Sequence, residues 1–466
     1  MENFGCRATQ ADAAAIERQL LDRGYIASRT ARGADVVVVN TCTVTASADA
    51  QARQAIRATH RANPRARILV TGCYAQRAPE ELVELEGVCW VVGNSHKPQI
   101  PDLVEQMCKR DTDLTAAAFV PLAELEADPL SLARAPAKIL TGDILALTAM
   151  PLTPVAGGEG AHSRPTLKIQ DGCNSRCAYC VIPYVRGRSR SLPPDDVLRE
   201  IRRLSAAGYR EVVLSGINLG SYGRDLAPRI EFGDLLRHIL DETPLERLRI
   251  SSIEPMDVTR DLIELVASTD RVAQHFHIPL QSGSDRILAA MHRRYRAAQY
   301  ARRIELIREL LPEAGIGADV IVAFPGETDA DHRATVELVR KLPFTYLHVF
   351  PFSKRPGTEA AKLSDEVSPE VTKRRSKEVR ALASEKSAAF RAAQLGGKLR
   401  VLTLNRNGNG PSGPWTAALS SNYLEARVRG CWPANQMLDV RITASDPFDL
   451  LGEVLDSESE GTCPEP

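Results

Sequence analysis

Between Ala11 and Cys108 the apolar positions switch repeatedly between two spacings. Ala11–Arg23 carries Ile16, Leu20 and Leu21 at helical intervals and stops at Gly24. Asp35–Asn40 holds four consecutive valines, the continuous apolar run of a strand covered on both faces. Ser47–His60 is helical again, Arg67–Thr71 reads as a second short strand and Gly87–Gly93 as a third. Strand–helix–strand order at this spacing predicts a small α/β domain with a largely parallel sheet over residues 1–110.

The pattern then degrades. Residues 111–163 are rich in Ala, Leu, Pro and Gly and read as a linker. Alternation resumes over 164–386, with strands at Leu167–Gln170, Glu211–Leu214, Arg247–Ile250, His275–Ile278, Ala318–Val322 and Tyr346–Val349. Helices such as Asp195–Ala207 and Ala297–Leu311 lie between them. Six strand–helix units predict a barrel or open barrel of parallel strands, with chemistry at the C-terminal strand ends. Residues 387–456 change character. Leu399–Leu404, Trp415–Leu419, Tyr423–Val428 and Met437–Ile442 read as short strands, separated by the Gly-rich run Asn407–Pro414 and by Gly430–Pro433. They predict a small all-β barrel. Residues 457–466 form an acidic tail, read as disordered.

At 466 residues, and about 150 per domain, the chain fits this three-domain reading. The uncharged stretch Ile144–Gly158 is too short to span a bilayer and contains Pro151 and Pro154. No basic segment followed by an apolar run opens the chain, so the expected location is cytoplasmic. Lys plus Arg and Asp plus Glu both number 59, so any polyanion site must come from local segregation of charge. Ten cysteines in such a chain point to metal ligation or thiol chemistry rather than disulfides.

Cys173, Cys177 and Cys180 follow the first strand of the middle domain in a C-x3-C-x2-C pattern. Three thiolates on one loop can bind three irons of a 4Fe-4S cubane and leave the fourth open to a small molecule. Zinc favours paired cysteines with a fourth Cys or His close by, and none follows here. This loop, placed after the first strand of a six-strand partial barrel, resembles that of the radical S-adenosylmethionine (SAM) enzymes. The resemblance implies that SAM chelates the open iron and is cleaved by one electron to methionine and a 5′-deoxyadenosyl radical.

A second trio is dispersed: Cys6, Cys42 in Asn40–Val44, and Cys73 in Thr71–Gln76. Cys42 and Cys73 each lie just beyond a predicted parallel strand, and Cys6 precedes the first helix, where an earlier strand would end. In a doubly wound sheet such loops converge at one crevice. On spacing alone, a second metal site and buried structural thiols both stay open. Resemblance goes further. Asn40–Thr45, Val70–Gln76, Arg249–Glu254, His277–Gly283, Asp319–Glu327 and Leu347–Thr358 are similar to the tRNA methylthiotransferase family, within it to the branch that acts on threonylcarbamoyladenosine. This implies that Cys6, Cys42 and Cys73 hold an auxiliary 4Fe-4S cluster that carries the sulfur to be transferred. Two SAM molecules would be used per turnover, with two 4Fe-4S clusters in all, to methylthiolate C2 of the modified adenosine beside the anticodon. Partners implied are tRNA through its anticodon loop and a reductant such as flavodoxin or ferredoxin, with the enzyme a monomer. The all-β domain resembles the TRAM domain, an OB-like RNA-binding barrel in which Trp415 and Tyr423 suit base stacking. The chain departs from the family at Thr9, where an Asn is usual, at Ala323, where a Gly is usual, and in leaving only Met1–Gly5 for the first strand.

Polar groups at the barrel mouth are candidate SAM or substrate contacts: Ser215, Gly216 and Asn218 after the second strand, Glu254 after the third, Gln281 and Ser282 after the fourth. His275 and His277 share a strand face but have no third ligand nearby in sequence, so pocket lining is the expectation. Arg186–Arg190 and Arg286–Arg308 are basic stretches, read as solvated faces or phosphate contacts. Cys89, Cys108, Cys431 and Cys463 enter no pattern. Two rival functions share these features. One is a sister methylthiotransferase acting on isopentenyladenosine or on a ribosomal protein aspartate. The other is a non-catalytic RNA-binding iron–sulfur protein, which would release no 5′-deoxyadenosine.

Overall fold

The valine run forms the second of five parallel strands: β1 (Glu2–Asn3), β2 (Val36–Thr41), β3 (Arg67–Gly72), β4 (Val88–Gly93) and β5 (Lys138–Leu140), hydrogen-bonded in that order. Both faces are covered, as the unbroken apolar run requires. Val37 and Val39 pack with Ile56 and Leu82, while Val38 packs with Ile16 and Leu103 on the opposite side. The two-residue first strand pairs with β2, Glu2 opposite Val39 and Asn3 opposite Asn40. The Asn40 amide donates to Asn3 Oδ1 and to the Thr9 carbonyl, tying that edge to the helix Arg7–Asp22.

The computed structural model describes residues 1–28, 30–114, 137–150, 163–410, 413–446 and 449–455. The chain divides into two compact units, the first comprising 1–158 with 171–175 and 180–190, the second 159–170, 176–179 and 191–466. Part of the stretch read as linker is β5, so it belongs to the first sheet. A three-residue edge strand carries no periodicity for sequence reading to detect. Residues 115–136 and 151–162 of the linker and the acidic tail, with Cys463, lie outside the described residues. Among the described residues no helix is long and apolar enough to cross a membrane.

In the second unit six parallel strands follow: β6 (Thr166–Lys168), then β9 (Glu211–Ser215), β10 (Arg247–Ile250), β11 (His275–His277), β12 (Gly315–Val322) and β13 (Tyr346–Pro351). Two-residue strands β7 (Gln170–Asp171) and β8 (Arg190–Ser191) flank the cysteine loop. The six form two three-stranded sheets, β6-β9-β10 and β11-β12-β13, linked by bridges at Leu248–Val272 and Ser252–His277. This is the expected open barrel. A long helix, Pro369–Ala392, leads to a closed barrel of β14 (Lys398–Gly410), β15 (Gly413–Ser420), β16 (Glu425–Arg429), β17 (Met437–Ser445) and β18 (Leu450–Val454). Much of the run read as a Gly-rich loop instead extends β14 and β15, because cross-strand pairing overrides local propensity (Gly408 opposite Trp415).

Two arginines fasten this closed barrel to the open one. Arg247 donates to the carbonyls of Arg400 and Leu419, Arg249 to those of Ser420 and Ser421. Both also pair with Glu211, which is fully buried. Burial pushes the Glu211 carboxyl up, but Arg249 and Arg247 outweigh it and hold it at about 2. Tyr423, expected to stack on bases, is turned inward instead. Its ring lies 4.2 Å from that of His275, with Arg249 over its face.

Candidate functional site

Cys6, Cys42 and Cys73 stand at the C-terminal ends of three neighbouring parallel strands. Cys42 follows β2 directly, Cys73 follows β3 and opens the short helix Cys73–Arg77, and Cys6 caps the first helix three residues beyond β1. Cys42 and Cys73 are buried, whereas Cys6 is exposed. Burial first, then the neighbouring Cys73 and Cys6 sulfurs, push the Cys42 thiol up to about 12. The Cys42 thiol therefore stays protonated on its own, and coordination to electropositive iron is what would deprotonate it. The donor set therefore fits a three-thiolate cluster.

The surroundings of Cys73 fit as well. Arg186 Nε donates to its sulfur at 3.3 Å and the Asn94 amide at 3.5 Å. Arg186 also grips the Asp171 carboxylate at 2.9 and 3.1 Å and Asp12 at 3.0 Å, and Asp12 pairs with Lys97 at 2.5 Å. Burial works against the Arg186 charge, yet Asp171, Cys73, Asp12 and Cys6 raise its pKa further, so it remains a cation. Arg186 and Arg190 are neither a solvated face nor open phosphate contacts, because both are buried. A basic run carries no sequence signal that separates a surface cluster from an internal ion network.

On the second loop, Cys173 Sγ accepts from the Ser175 amide at 3.4 Å, and its own amide donates to the Gly187 carbonyl. Cys177 Sγ accepts from Arg293 Nη1 at 3.4 Å. Arg293 also pairs with Glu254 and donates to the Tyr295 hydroxyl, which in turn donates to the carbonyls of Pro279 and Leu280 just past β11. Arg293 was missed as a site residue, because nothing in its sequence neighbourhood separates it from Arg294 or Arg296.

The other candidates divide. Ser215 is buried at the end of β9, and Gly216 lies against Gln170, whose side-chain oxygen accepts from the Asn218 amide at 2.8 Å. Glu254 already has Arg293 as partner. Gln281 has a left-handed backbone (φ 65°) and its amide bonds the Asp319 carbonyl, extending the β11–β12 ladder beyond the strand. Ser282 is buried, with its hydroxyl facing Thr335 and accepting from the Ser284 amide. His277 turns out to have polar neighbours that the sequence conceals. Its Nε2 lies 3.1 Å from Asp319 Oδ1, and donor atoms of His277, Asp319 and His348 all fall within 4.8 Å of one another.

A C-x3-C-x2-C loop after the first strand of a six-strand open barrel places the chain among radical SAM enzymes, whose chemistry uses SAM and a 4Fe-4S cluster. Two family models match the chain, and the first carries this assignment. The Radical SAM superfamily matches residues 167–339, and the Uncharacterized protein family UPF0004 matches residues 1–93. Among curated relatives, threonylcarbamoyladenosine tRNA methylthiotransferase MtaB of Aquifex aeolicus is 34% identical over 95% of this chain and 99% of its own length. The Bacillus subtilis protein of the same name is 36% identical over 80% of this chain and 77% of its own length. The tRNA-2-methylthio-N(6)-dimethylallyladenosine synthase of Syntrophobacter fumaroxidans is 34% identical over 98% of this chain and 95% of its own length. The chain belongs to the methylthiotransferase family of radical SAM enzymes.

Proposed function

We propose that this enzyme methylthiolates C2 of N6-threonylcarbamoyladenosine next to the anticodon of tRNA. In this reading Cys173, Cys177 and Cys180 hold the SAM-binding 4Fe-4S cluster, and Cys6, Cys42 and Cys73 hold an auxiliary one. Two SAM molecules are used per turnover. When bound, the clusters and SAM supply the one-electron chemistry that an unreactive adenine C–H bond demands, since no general base of accessible pKa removes that proton. The observation that carries the reading is the convergence of three sequence-distant cysteines at adjacent strand ends.

The chain's own residues do the rest. Arg186 and Asn94 direct N–H groups at Cys73, stabilising negative charge on its sulfur, and Arg293 does the same at Cys177. Arg293 also holds Glu254 at the barrel mouth. The closed β-barrel, anchored by Arg247 and Arg249, offers an RNA-binding surface around Trp415.

Methylthiolated nucleosides in tRNA from cells lacking the gene test the reading. Loss of the methylthio mark on threonylcarbamoyladenosine alone is expected. If that mark persists, the assignment fails. Iron analysis of the anaerobically purified protein tests the cofactors, because Cys42→Ala should lose about half the iron if each trio holds one cluster. Dimethylallyladenosine is the second reading, supported by a relative of that activity with matching identity and coverage.

A further inference from the structure

Overall identity does not separate the two substrates, since relatives of both activities match this chain at 34%. The inner face of β11, β12 and β13 offers a different criterion. In register, His277 lies opposite Gly317, Gly317 opposite Tyr346, and Asp319 opposite His348. Gly317 makes the arrangement possible, because a Cβ there would stand 2.0 Å from the Tyr346 ring. Tyr346 can therefore lie across the sheet, with its hydroxyl 3.0 Å from His277 Nδ1 and 2.8 Å from His275 Nε2. This fixes the His277 ring with Nε2 turned to Asp319.

The column is graded along the strands. At the N-terminal end Tyr423 closes it by stacking on His275. Toward the C-terminal end Asp319 is half-buried and His348 and Phe350 are exposed. The Asp319 carbonyl takes the amides of Leu280 and Gln281, and Tyr295 bonds the Leu280 carbonyl while receiving Arg293, which touches Cys177. The open polar end is thus a few bonds from a cysteine of the radical loop, on the side where a barrel enzyme takes its substrate.

We propose that Asp319 and His348, with His277 behind them, form the subsite that reads the N6 substituent of the target adenosine and selects a polar, carboxylate-bearing one. The proposal rests on the function proposed above and names the residues that set its specificity. Asp319 accepts from a urea N–H or a hydroxyl, and His348 donates to a carboxylate or hydroxyl oxygen. A branched apolar substituent would strip water from both groups and return no hydrogen bond. Sites built to bond a polar group reject an analogue lacking it for this reason.

The test compares kcat/KM of the anaerobically reconstituted enzyme on two anticodon-loop RNAs, one bearing threonylcarbamoyladenosine and one bearing dimethylallyladenosine. Iron content and circular dichroism of each variant confirm folding. His348→Leu and Asp319→Asn should each lower the ratio of the two kcat/KM values about tenfold to a hundredfold. Because the readout is a ratio, a general loss of activity does not imitate the result. Equal losses on both RNAs, or an unchanged ratio, overturn the subsite while leaving the proposed function standing. A wild-type enzyme that prefers the dimethylallyl RNA overturns both. One divalent ion per chain beyond the iron, released in His348→Leu, also overturns it by making these side chains metal ligands.

Discussion

Arg186 and Arg293 make the same contact in different surroundings. Each donates an N–H to a cysteine sulfur, at 3.3 Å for Cys73 and 3.4 Å for Cys177. Around Arg186 everything is closed: side chains of Arg186, Asp12 and Lys97 are 1% exposed and Asp171 is 4% exposed, two cations balancing two carboxylates. Arg293 is nearly as buried, yet its partner Glu254 is 32% exposed. The difference lies in what each arginine leaves behind when removed. Without Arg186, Asp171 and Asp12 lose a partner out of reach of water. Without Arg293, Glu254 can turn to solvent. A contact to sulfur thus doubles as a structural keystone in one place and remains mainly a local orienting contact in the other.

Arg186→Leu should accordingly have the largest effect, about 3–5 kcal/mol of stability, the range for removing one partner of a buried ion pair. Urea denaturation of the cluster-free protein measures it, and a loss under about 1 kcal/mol would erase the contrast. Iron bound through Cys6, Cys42 and Cys73 should fall in parallel. Arg186→Lys should recover only part, since one ammonium cannot serve Cys73, Asp171 and Asp12 in a planar fork.

A third network sharpens the comparison through pH. Glu211 faces Arg247, Arg249 and Arg164, and its folded pKa of about 2 lies below its ordinary 4.5. A depressed carboxyl contributes stability that is complete above the ordinary value and is lost as pH falls toward the folded one. The second unit should therefore lose about 3 kcal/mol between roughly pH 4.5 and pH 2. Glu211→Gln should flatten that segment of an acid-denaturation curve. Arg293→Leu comes next, at about 2–3 kcal/mol for losing a bond to a charged group while Glu254 gains water. It must fall short of Arg186→Leu for the comparison to hold.

The legibility of these features in the sequence follows the distance over which each is built. The radical loop is local, so C-x3-C-x2-C displays it whole. The dispersed trio was visible only as cysteines just past predicted strands, and its meaning needed family resemblance. Strand-by-strand reading recovered strands of all three parallel sheets because continuous or regularly spaced apolar runs mark buried strands. It missed Lys138–Leu140 and Leu450–Val454, one too short for a period and the other interrupted by Gly452. Asp319 and His348 escaped as companions of His277 because they meet it only through the register of three strands. Tyr423 looked like an RNA contact because aromatic residues of a small barrel read alike whether they face solvent or the neighbouring sheet.

The smallest predicted effect bears on the thiol crevice itself. Gly5 has φ +132°, a conformation L side chains rarely adopt, and a Cβ there would stand 2.5 Å from Cys42 Cβ and 3.2 Å from its sulfur. Gly5→Ala must therefore move either the backbone between β1 and Cys6 or the Cys42 side chain, at a cost of about 1–2 kcal/mol. That cost is too small to unfold the sheet, whose core lies on other residues. The displacement falls on two of the three sulfurs proposed to share one cluster, so iron at that site should drop far more than stability does. Arg186→Leu should lower both together. If Gly5→Ala retains full iron, the crevice tolerates a shift that three-point ligation should not, and the trio would be better read as packed thiols.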